Sequence, residues 1–90
     1  MARKERVTRV IDGDTFETAN RKRSVRLANV NSPEKGVRGG ATATKALKGL
    51  IEGETVSIET VARDKYGRSV ANVKIGRQSV NKAMREKVKK

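Results

Sequence analysis

The sequence predicts a small, mainly β domain of the α+β class, in which five strands form a barrel and two short helices pack on it. Three observations indicate this fold class. Short stretches rich in Val and Ile alternate between apolar and polar residues with period two. Only two stretches repeat apolar residues at helical spacing. The 90 residues include one Phe, one Tyr and no Trp, so Val, Ile, Leu and Ala must supply most of the core.

The first third of the chain predicts three strands followed by a loop. Residues 5–11 alternate around Val7, residues 15–19 continue after a tight turn, and residues 24–30 place Val25 and Leu27 opposite Arg26. Residues 31–40 read NSPEKGVRGG and contain the only Pro and three of the eight Gly. This composition is typical of a loop.

The rest of the chain predicts a helix, two strands and a second helix. The first helix follows from helical spacing of Ala43, Ala46, Leu47, Leu50 and Ile51, with Gly53 as its stop. Strands are expected at residues 55–61 and 69–75, joined by the polar turn 62–68. An apolar stripe of Val80, Ala83, Met84 and Val88 predicts a short C-terminal helix. Either Ser79 or Asn81 could serve as its N-cap.

Five strands with a helix between the third and fourth are the arrangement of the OB-fold barrel, which commonly binds oligonucleotides. No internal repeat, linker or low-complexity segment interrupts the order of elements. Residues 1–90 are therefore expected to form a single domain.

The charge of the chain indicates a polyanionic partner. Its 22 Lys and Arg face 10 Asp and Glu, a formal net charge of +12. Self-repulsion on this scale favours a ligand that carries many phosphates, so nucleic acid is the expected partner. With neither Cys nor His, the chain can form no disulfide and can hold a metal through oxygen ligands alone.

The sequence contains no apolar stretch long enough to span a membrane, so we expect no membrane partner. The basic start MARKERVTRV has no apolar segment behind it, so a secretory signal is not expected. We therefore expect a cytoplasmic protein, although secretion is left open. Monomer and weak dimer both remain open.

The stretch VIDGDTF, residues 10–16, contains two of the few carboxylates, Asp12 and Asp14. Asp-Gly between β-branched and aromatic residues predicts a hairpin turn at Asp12 and Gly13, because the pair tolerates a positive φ. Asp14 is a poor strand former where the second strand should begin. It is either a capping side chain or a ligand.

Two further stretches could contribute chemistry. Pro33 restricts the backbone beside Ser32 and Glu34, which would aim their oxygens just beyond a strand end. The alternative is an ordinary Ser-Pro turn with an exposed Glu. In RDKYGR, residues 63–68, a hairpin turn needs no function, but the charged groups around Tyr66 would suit a phosphate contact and a stacking base.

Together these stretches resemble the staphylococcal nuclease (thermonuclease) family. IDGDT, then RL followed by NSPE, a helix opening near GA, and DKYGR followed by an alternating strand and VN occur in the order and spacing of that family. The resemblance covers residues 7–84. It implies a metal-dependent nuclease that cleaves DNA, RNA or both with low sequence specificity, assisted by Ca²⁺ or another divalent cation.

The resemblance also implies a role for each matching residue. Asp14, Asn31 and the backbone oxygen of Ser32 take the positions of metal ligands, with Asp12 as a supporting acid. Arg26 and Arg68 match the catalytic arginines, and Glu34 matches the glutamate that acts as a base or positions water. Lys65 and Tyr66 match side chains that contact the terminal phosphate of the bound nucleotide.

These residue types form a coherent set for phosphodiester hydrolysis. Two arginine guanidinium groups can bind the phosphoryl oxygens and stabilise the negative charge that develops on them during the reaction. A divalent cation at Asp14 would polarise the phosphoryl group and orient water, and Glu34 would accept the proton. Oxygen donors of mixed type suit Ca²⁺ better than Mg²⁺.

The sequence departs from the family pattern at two places. Asn31 stands where the family usually has a second metal-binding Asp, and the usual C-terminal helical extension is not present in these 90 residues. Both departures favour an alternative function, an OB-fold module that binds nucleic acid with weakened catalysis. A protein-docking role is a third possibility.

Overall fold

The computed structural model describes residues 2–32, 36 and 38–88. Its strands in chain order are β1 (Arg3–Asp12), β2 (Thr15–Thr18), β3 (Val25–Leu27), β4 (Thr55–Arg63), β5 (Ser69–Ile75) and β6 (Gln78–Ser79). Its helices are α1 (Gly40–Ile51), which lies between β3 and β4, and α2 (Val80–Val88), which follows β6.

The first five strands close into a barrel. β1 pairs antiparallel with β2 and with β4, β2 pairs with β3, and β4 pairs with β5. The parallel pairing of β3 with β5 joins the two open edges. The two-residue β6 extends the sheet beyond β5. This confirms the predicted OB-fold with a helix between the third and fourth strands and a short C-terminal helix.

Several elements differ from their predicted bounds, and one strand was not predicted. β3 ends at Leu27 rather than at residue 30, and Asn29 just beyond it has a φ of 59°, which extended strands do not adopt. α1 begins at Gly40, three residues before the first apolar position of the predicted stripe. β6 was not predicted, because a strand of two residues shows no alternation.

The core fills the barrel and the space under both helices. Its largest fully buried side chains include Phe16, Leu27, Leu47, Ile58 and Met84. α1 packs against β1 and α2, while α2 packs against β5. Within residues 2–32, 36 and 38–88, no helix combines the length and apolar character that a membrane crossing requires.

The Asn81 side chain links β5 to the residue that follows β3. Its Nδ2 donates to the carbonyl oxygens of Ala28 and Ala71 at 2.9 and 3.0 Å, and its Oδ1 accepts from the backbone N of Val73 at 2.7 Å. The side chain is 3% exposed. The sequence offered Asn81 as a possible helix cap, but Ser79 fills that role by accepting from the backbone N of Lys82.

We predict that Asn81→Ala lowers the free energy of unfolding by about 3–4 kcal/mol, because three hydrogen bonds are lost and buried backbone groups are left unpaired. Urea denaturation followed by circular dichroism measures this. Asn72→Ala is the control, since Asn72 is exposed on the same strand region and its side chain makes one long contact of 3.5 Å to Glu59. Equal losses in the two variants would contradict the assigned role.

Candidate active site

The turn between β1 and β2 consists of Gly13 and Asp14, with Asp12 and Thr15 paired across it. The prediction of a turn at Asp12 and Gly13 was therefore off by one residue. Asp14 is not a misplaced strand residue, because it occupies the turn itself. Its side chain is directed inward, and the residue is 7% exposed.

Gly13 is required by a close approach rather than by its φ angle. Among the described residues, positive φ angles occur at Asn29 and at five glycines that do not include Gly13. A Cβ placed on Gly13 would lie 2.1 Å from Oγ of Ser32 and 2.6 Å from Cβ of Ala43. The turn is thus packed tightly between the loop after β3 and the start of α1.

The Asp14 carboxylate connects this turn to β3 and to the loop that follows it. Its Oδ2 accepts from the backbone N of Ser32 at 3.2 Å and from Nη2 of Arg26 at 3.4 Å, and its Oδ1 accepts from Oγ1 of Thr15 at 2.8 Å. Leu27 N donates to the Asp14 carbonyl at 2.8 Å. Both side-chain and backbone contacts therefore hold Asp14 in a single position.

Arg26 contacts two of the predicted metal ligands through the same nitrogen. Nη2 of Arg26 lies 3.4 Å from Oδ2 of Asp14 and 3.1 Å from Oδ1 of Asn31. Because both oxygens contact the same nitrogen, the Asp14 and Asn31 side chains lie close to each other. A cationic group thus lies between oxygens that the family resemblance assigns to a cation.

Asp12 supports the turn and contributes a second acid. Its Oδ1 accepts from the backbone N of Asp14 at 3.1 Å. Burial raises the pKa of the Asp12 carboxyl, and the neighbouring Asp14 carboxylate raises it further. A bound cation would favour the ionised form of Asp12.

Asp64 organises the hairpin between β4 and β5, which carries Lys65, Tyr66 and Arg68. Its Oδ1 accepts from the backbone N of Tyr66 and of Arg68, each at 2.9 Å, and its Oδ2 accepts from Nε of Arg68. Desolvation alone would raise the pKa of Asp64, but these hydrogen bonds outweigh it and lower the pKa. Asp64 was not predicted, although Asp three residues before Gly67 is a signature of such turns.

Two cations on this hairpin lie close to the Tyr66 ring. Nζ of Lys65 and the guanidinium carbon of Arg68 each lie 5.2 Å from the ring centroid. Tyr66 is 62% exposed. An exposed ring with cations beside it is an arrangement that can stack on a base and contact a phosphate.

The structure brings Asp14, Arg26, Asn31 and Ser32 together through direct hydrogen bonds. Arg68 lies one residue before β5, the strand that pairs with β3. Val25 pairs with Ser69 and Arg26 pairs with Val70, so Arg68 directly precedes the part of β5 that faces the Arg26 strand. No hydrogen bond within the described part of the chain joins Arg68 to Asp14. Glu34 lies outside the described residues.

The donors at this site fit a hard divalent cation. Asp14 and Asn31 present a carboxylate and an amide oxygen, and Asp12 adds negative charge beside them. Such oxygens suit Ca²⁺. Within the described ranges, no group of three or more His, Cys, Asp or Glu side chains could hold a metal, so this set is low in charge.

Comparison with known proteins identifies relatives of this chain. Residues 24–87 match the family model described as staphylococcal nuclease homologue. An uncharacterised endonuclease of Escherichia coli O157:H7 is 41% identical over 70 residues. An uncharacterised endonuclease of Haemophilus influenzae is 33% identical over 82 residues, and a micrococcal nuclease of Shigella flexneri is 33% identical over 69 residues.

The matches cover most of this chain but less than half of each relative. The three alignments span 76%, 88% and 74% of this chain and 46%, 46% and 40% of the respective relatives. Residues 24–87, which match the family model, include β3 and the β4–β5 hairpin.

We predict that Gly13→Ala destabilises the fold by about 2 kcal/mol, because the added methyl group forces the turn away from Ser32 and Ala43. Adding Ser32→Gly should restore part of the loss, with Ser32→Gly alone measured for comparison. Thermal unfolding followed by circular dichroism gives all three values.

Gly49→Ala is the matched control for that prediction. Gly49 lies in α1 and an added Cβ would meet nothing within 4 Å. It should stabilise the protein by about 0.5–1 kcal/mol through helix propensity. If Gly13→Ala behaved like Gly49→Ala, the close approach at Gly13 would not exist in solution.

Proposed function

We propose that this chain, which belongs to the staphylococcal nuclease family, hydrolyses phosphodiester bonds of DNA or RNA with low sequence preference. One observation carries this proposal. The buried Asp14 carboxylate and the Arg26 guanidinium are fixed against the loop at Asn31 and Ser32. Arg68 directly precedes the strand that pairs with the Arg26 strand, so a second guanidinium is available nearby for a phosphate held beside a cation.

The arginines would stabilise the charge that develops on the phosphoryl oxygens. Asp64 binds Nε of Arg68, which orients the guanidinium and leaves its terminal nitrogens for a phosphate. Arg26 contacts Asp14 and Asn31 through Nη2 and the Leu27 carbonyl through Nη1, which leaves its Nε and one further N–H of Nη1 to donate to a phosphoryl oxygen. Both groups are positioned before the substrate arrives, which is what makes such contacts effective in catalysis.

Proton transfer is assigned to Glu34. An ionised carboxylate there would accept a proton from the attacking water as the new P–O bond forms and the bond to the leaving sugar oxygen breaks. Asp14, Asn31 and the Ser32 carbonyl would hold Ca²⁺ or a similar cation, with Asp12 in support. When bound, such a cation supplies charge neutralisation at the phosphoryl oxygen and orients water.

Substrate would be held largely through its phosphates. Tyr66 is the single Tyr in the sequence, so it offers the main stacking surface beside Lys65. The net charge of +12 supplies a general attraction for nucleic acid. Binding should therefore weaken steeply as salt increases, and sequence preference should be low.

We predict metal-dependent cleavage of labelled single-stranded DNA and RNA that is abolished by a chelator. Glu34→Gln and Arg68→Ala should each lower the cleavage rate by roughly a hundredfold or more, because a proton acceptor or a phosphate-binding group is lost. Reactions with Ca²⁺ and with Mg²⁺ are followed on gels.

Arg85→Ala is the control for those variants, since Arg85 lies exposed on α2 and has no assigned role. Its rate should match that of the parent protein. Binding without cleavage under every metal condition would contradict the nuclease and favour the binding module that Asn31 suggests.

We predict that Asn31→Asp binds Ca²⁺ about tenfold more tightly than the parent, because the site gains one negative charge. Isothermal titration calorimetry measures the affinities. Asn29→Asp adds the same charge two residues away at an exposed position and should change the affinity little. Equal gains in the two variants would show that Asn31 is not a ligand.

A further inference from the structure

A basic trough runs beside the β4–β5 hairpin, outside the candidate active site. It consists of two adjoining cavities of about 530 and 300 Å³, which share Arg21 and Arg63. The N-terminal part of β1, the loop between β2 and β3, and β4 form its walls. Five exposed cations line its rim, namely Arg3, Lys4, Lys22, Arg23 and Arg63.

An ion pair forms the floor of the basic trough. Arg21 binds the Glu5 carboxylate through Nε at 2.9 and 3.0 Å and through Nη2 at 2.9 Å, and its Nη1 donates to Ser69 at 2.9 Å. Burial alone would raise the pKa of Glu5, but hydrogen bonds from Arg21 and Thr18 lower it. Glu5 is thus ionised at neutral pH and compensates Arg21, so the floor is rigid and close to neutral.

The rim therefore supplies the net charge of the basic trough. Among the residues described as lining the two cavities, Glu5 is the single acid, and its charge is already paired with Arg21. The side chains of Arg3, Lys4 and Lys22 make no hydrogen bond or ion pair with other described residues, although the charge of Arg3 helps to lower the pKa of Glu5. These side chains can therefore reach a ligand, and a concave surface of one sign concentrates the electric field on it.

The basic trough is continuous with the hairpin that carries Tyr66. Nη1 of Arg23 donates to the Tyr66 carbonyl at 3.2 Å, and Nη1 of Arg63 donates to the Gly67 carbonyl at 3.2 Å. Each arginine retains four further N–H donors. Lys65 and Arg68 lie on the same hairpin, close to the Tyr66 ring. Cations therefore extend without interruption from the candidate active site, past Tyr66, into the basic trough.

We propose that the basic trough binds the phosphate backbone of a single-stranded segment of nucleic acid that flanks the bond to be cleaved. This inference rests on the proposed function, because it takes the polyanion to be the substrate strand. Rim cations on flexible side chains around a rigid, neutral floor can follow a backbone without reading its bases.

The dimensions favour a single strand over a duplex. The larger cavity falls within the range of about 300–1,000 Å³ that is typical of small-ligand pockets, so it can admit a nucleotide or two. A duplex is a wide, convex cylinder and could touch the rim but could not enter. Basic grooves that follow the backbone are the usual means by which OB-folds bind single strands.

The test compares two triple variants with equal charge. Arg3→Gln, Lys4→Gln and Lys22→Gln together remove three free rim charges, whereas Lys45→Gln, Lys48→Gln and Lys82→Gln remove three exposed charges from α1 and α2. Binding of a fluorescent 12-nucleotide single strand is measured by anisotropy in chelator over a range of salt concentrations. Circular dichroism melts verify that both variants remain folded.

The rim variant should lose about two units from the slope of log affinity against log salt, since each lost phosphate contact on a single strand removes about 0.7. At 0.1 M salt its affinity should fall on the order of tenfold to a hundredfold. The helix variant should keep nearly the parental slope. Equal slopes in the two variants, or an equal effect of the rim variant on a 12-base-pair duplex, would overturn the proposal.

Cleavage separates this inference from the proposed function. A dinucleotide substrate should occupy the candidate active site alone, so the rim variant should cleave it at the parental rate while cleaving the 12-mer with a higher KM. If the parent and the rim variant cleave both substrates equally well, the proposed role of the basic trough is wrong, whereas the proposed nuclease activity is supported. If the parent binds the 12-mer with the predicted rim dependence but cleaves nothing, the nuclease fails and the basic trough stands.

Discussion

The parallel pairing of three residues of β3 with β5 is the constraint on which the rest of the structure depends. It closes the barrel, and it sets Arg26 beside Val70, two residues after Arg68. A contact of three residue pairs is too short to be stable by itself. The Asn81 side chain also links Ala28, which follows β3, to Ala71 of β5, and the backbone N of Leu27 donates to the carbonyl of Asp14. The same contacts therefore close the barrel and position Asp14 and Arg26.

The distribution of carboxylates follows from the high positive charge. A chain of net charge +12 has few acids, and several of them are fixed to arginines: Glu5 to Arg21, Asp14 to Arg26, and Asp64 to Arg68. Each pair joins segments or shapes a turn that the proposed functions need. The remaining cations stay exposed, where self-repulsion disfavours the compact state until a polyanion binds. Ligand binding and stability should thus be coupled in this protein.

The sequence predicts the barrel well because alternation and helical spacing are local signals. The order of elements and the motif residues around Asp14 and Arg68 follow from such patterns. The role of Asn81 does not, because its partner Ala28 lies far away in the chain. The sequence predicted Gly13 at the turn because glycine tolerates a positive φ. The structure shows instead that a Cβ at this position would collide with Ser32 and Ala43, which are distant in the chain. The basic trough was equally hidden, since its cations come from three separate segments.

Native-state hydrogen exchange measured by NMR tests the central claim most directly. The amide of Ala28 donates to the Ala71 carbonyl at 2.8 Å, and that of Val73 donates to Asn81. If β3–β5 closure is part of the cooperative core, both amides should exchange only on global unfolding, with opening free energies within about 1 kcal/mol of the slowest amides in β4. Exchange of Ala28 through a local opening several kcal/mol cheaper than global unfolding would contradict this account.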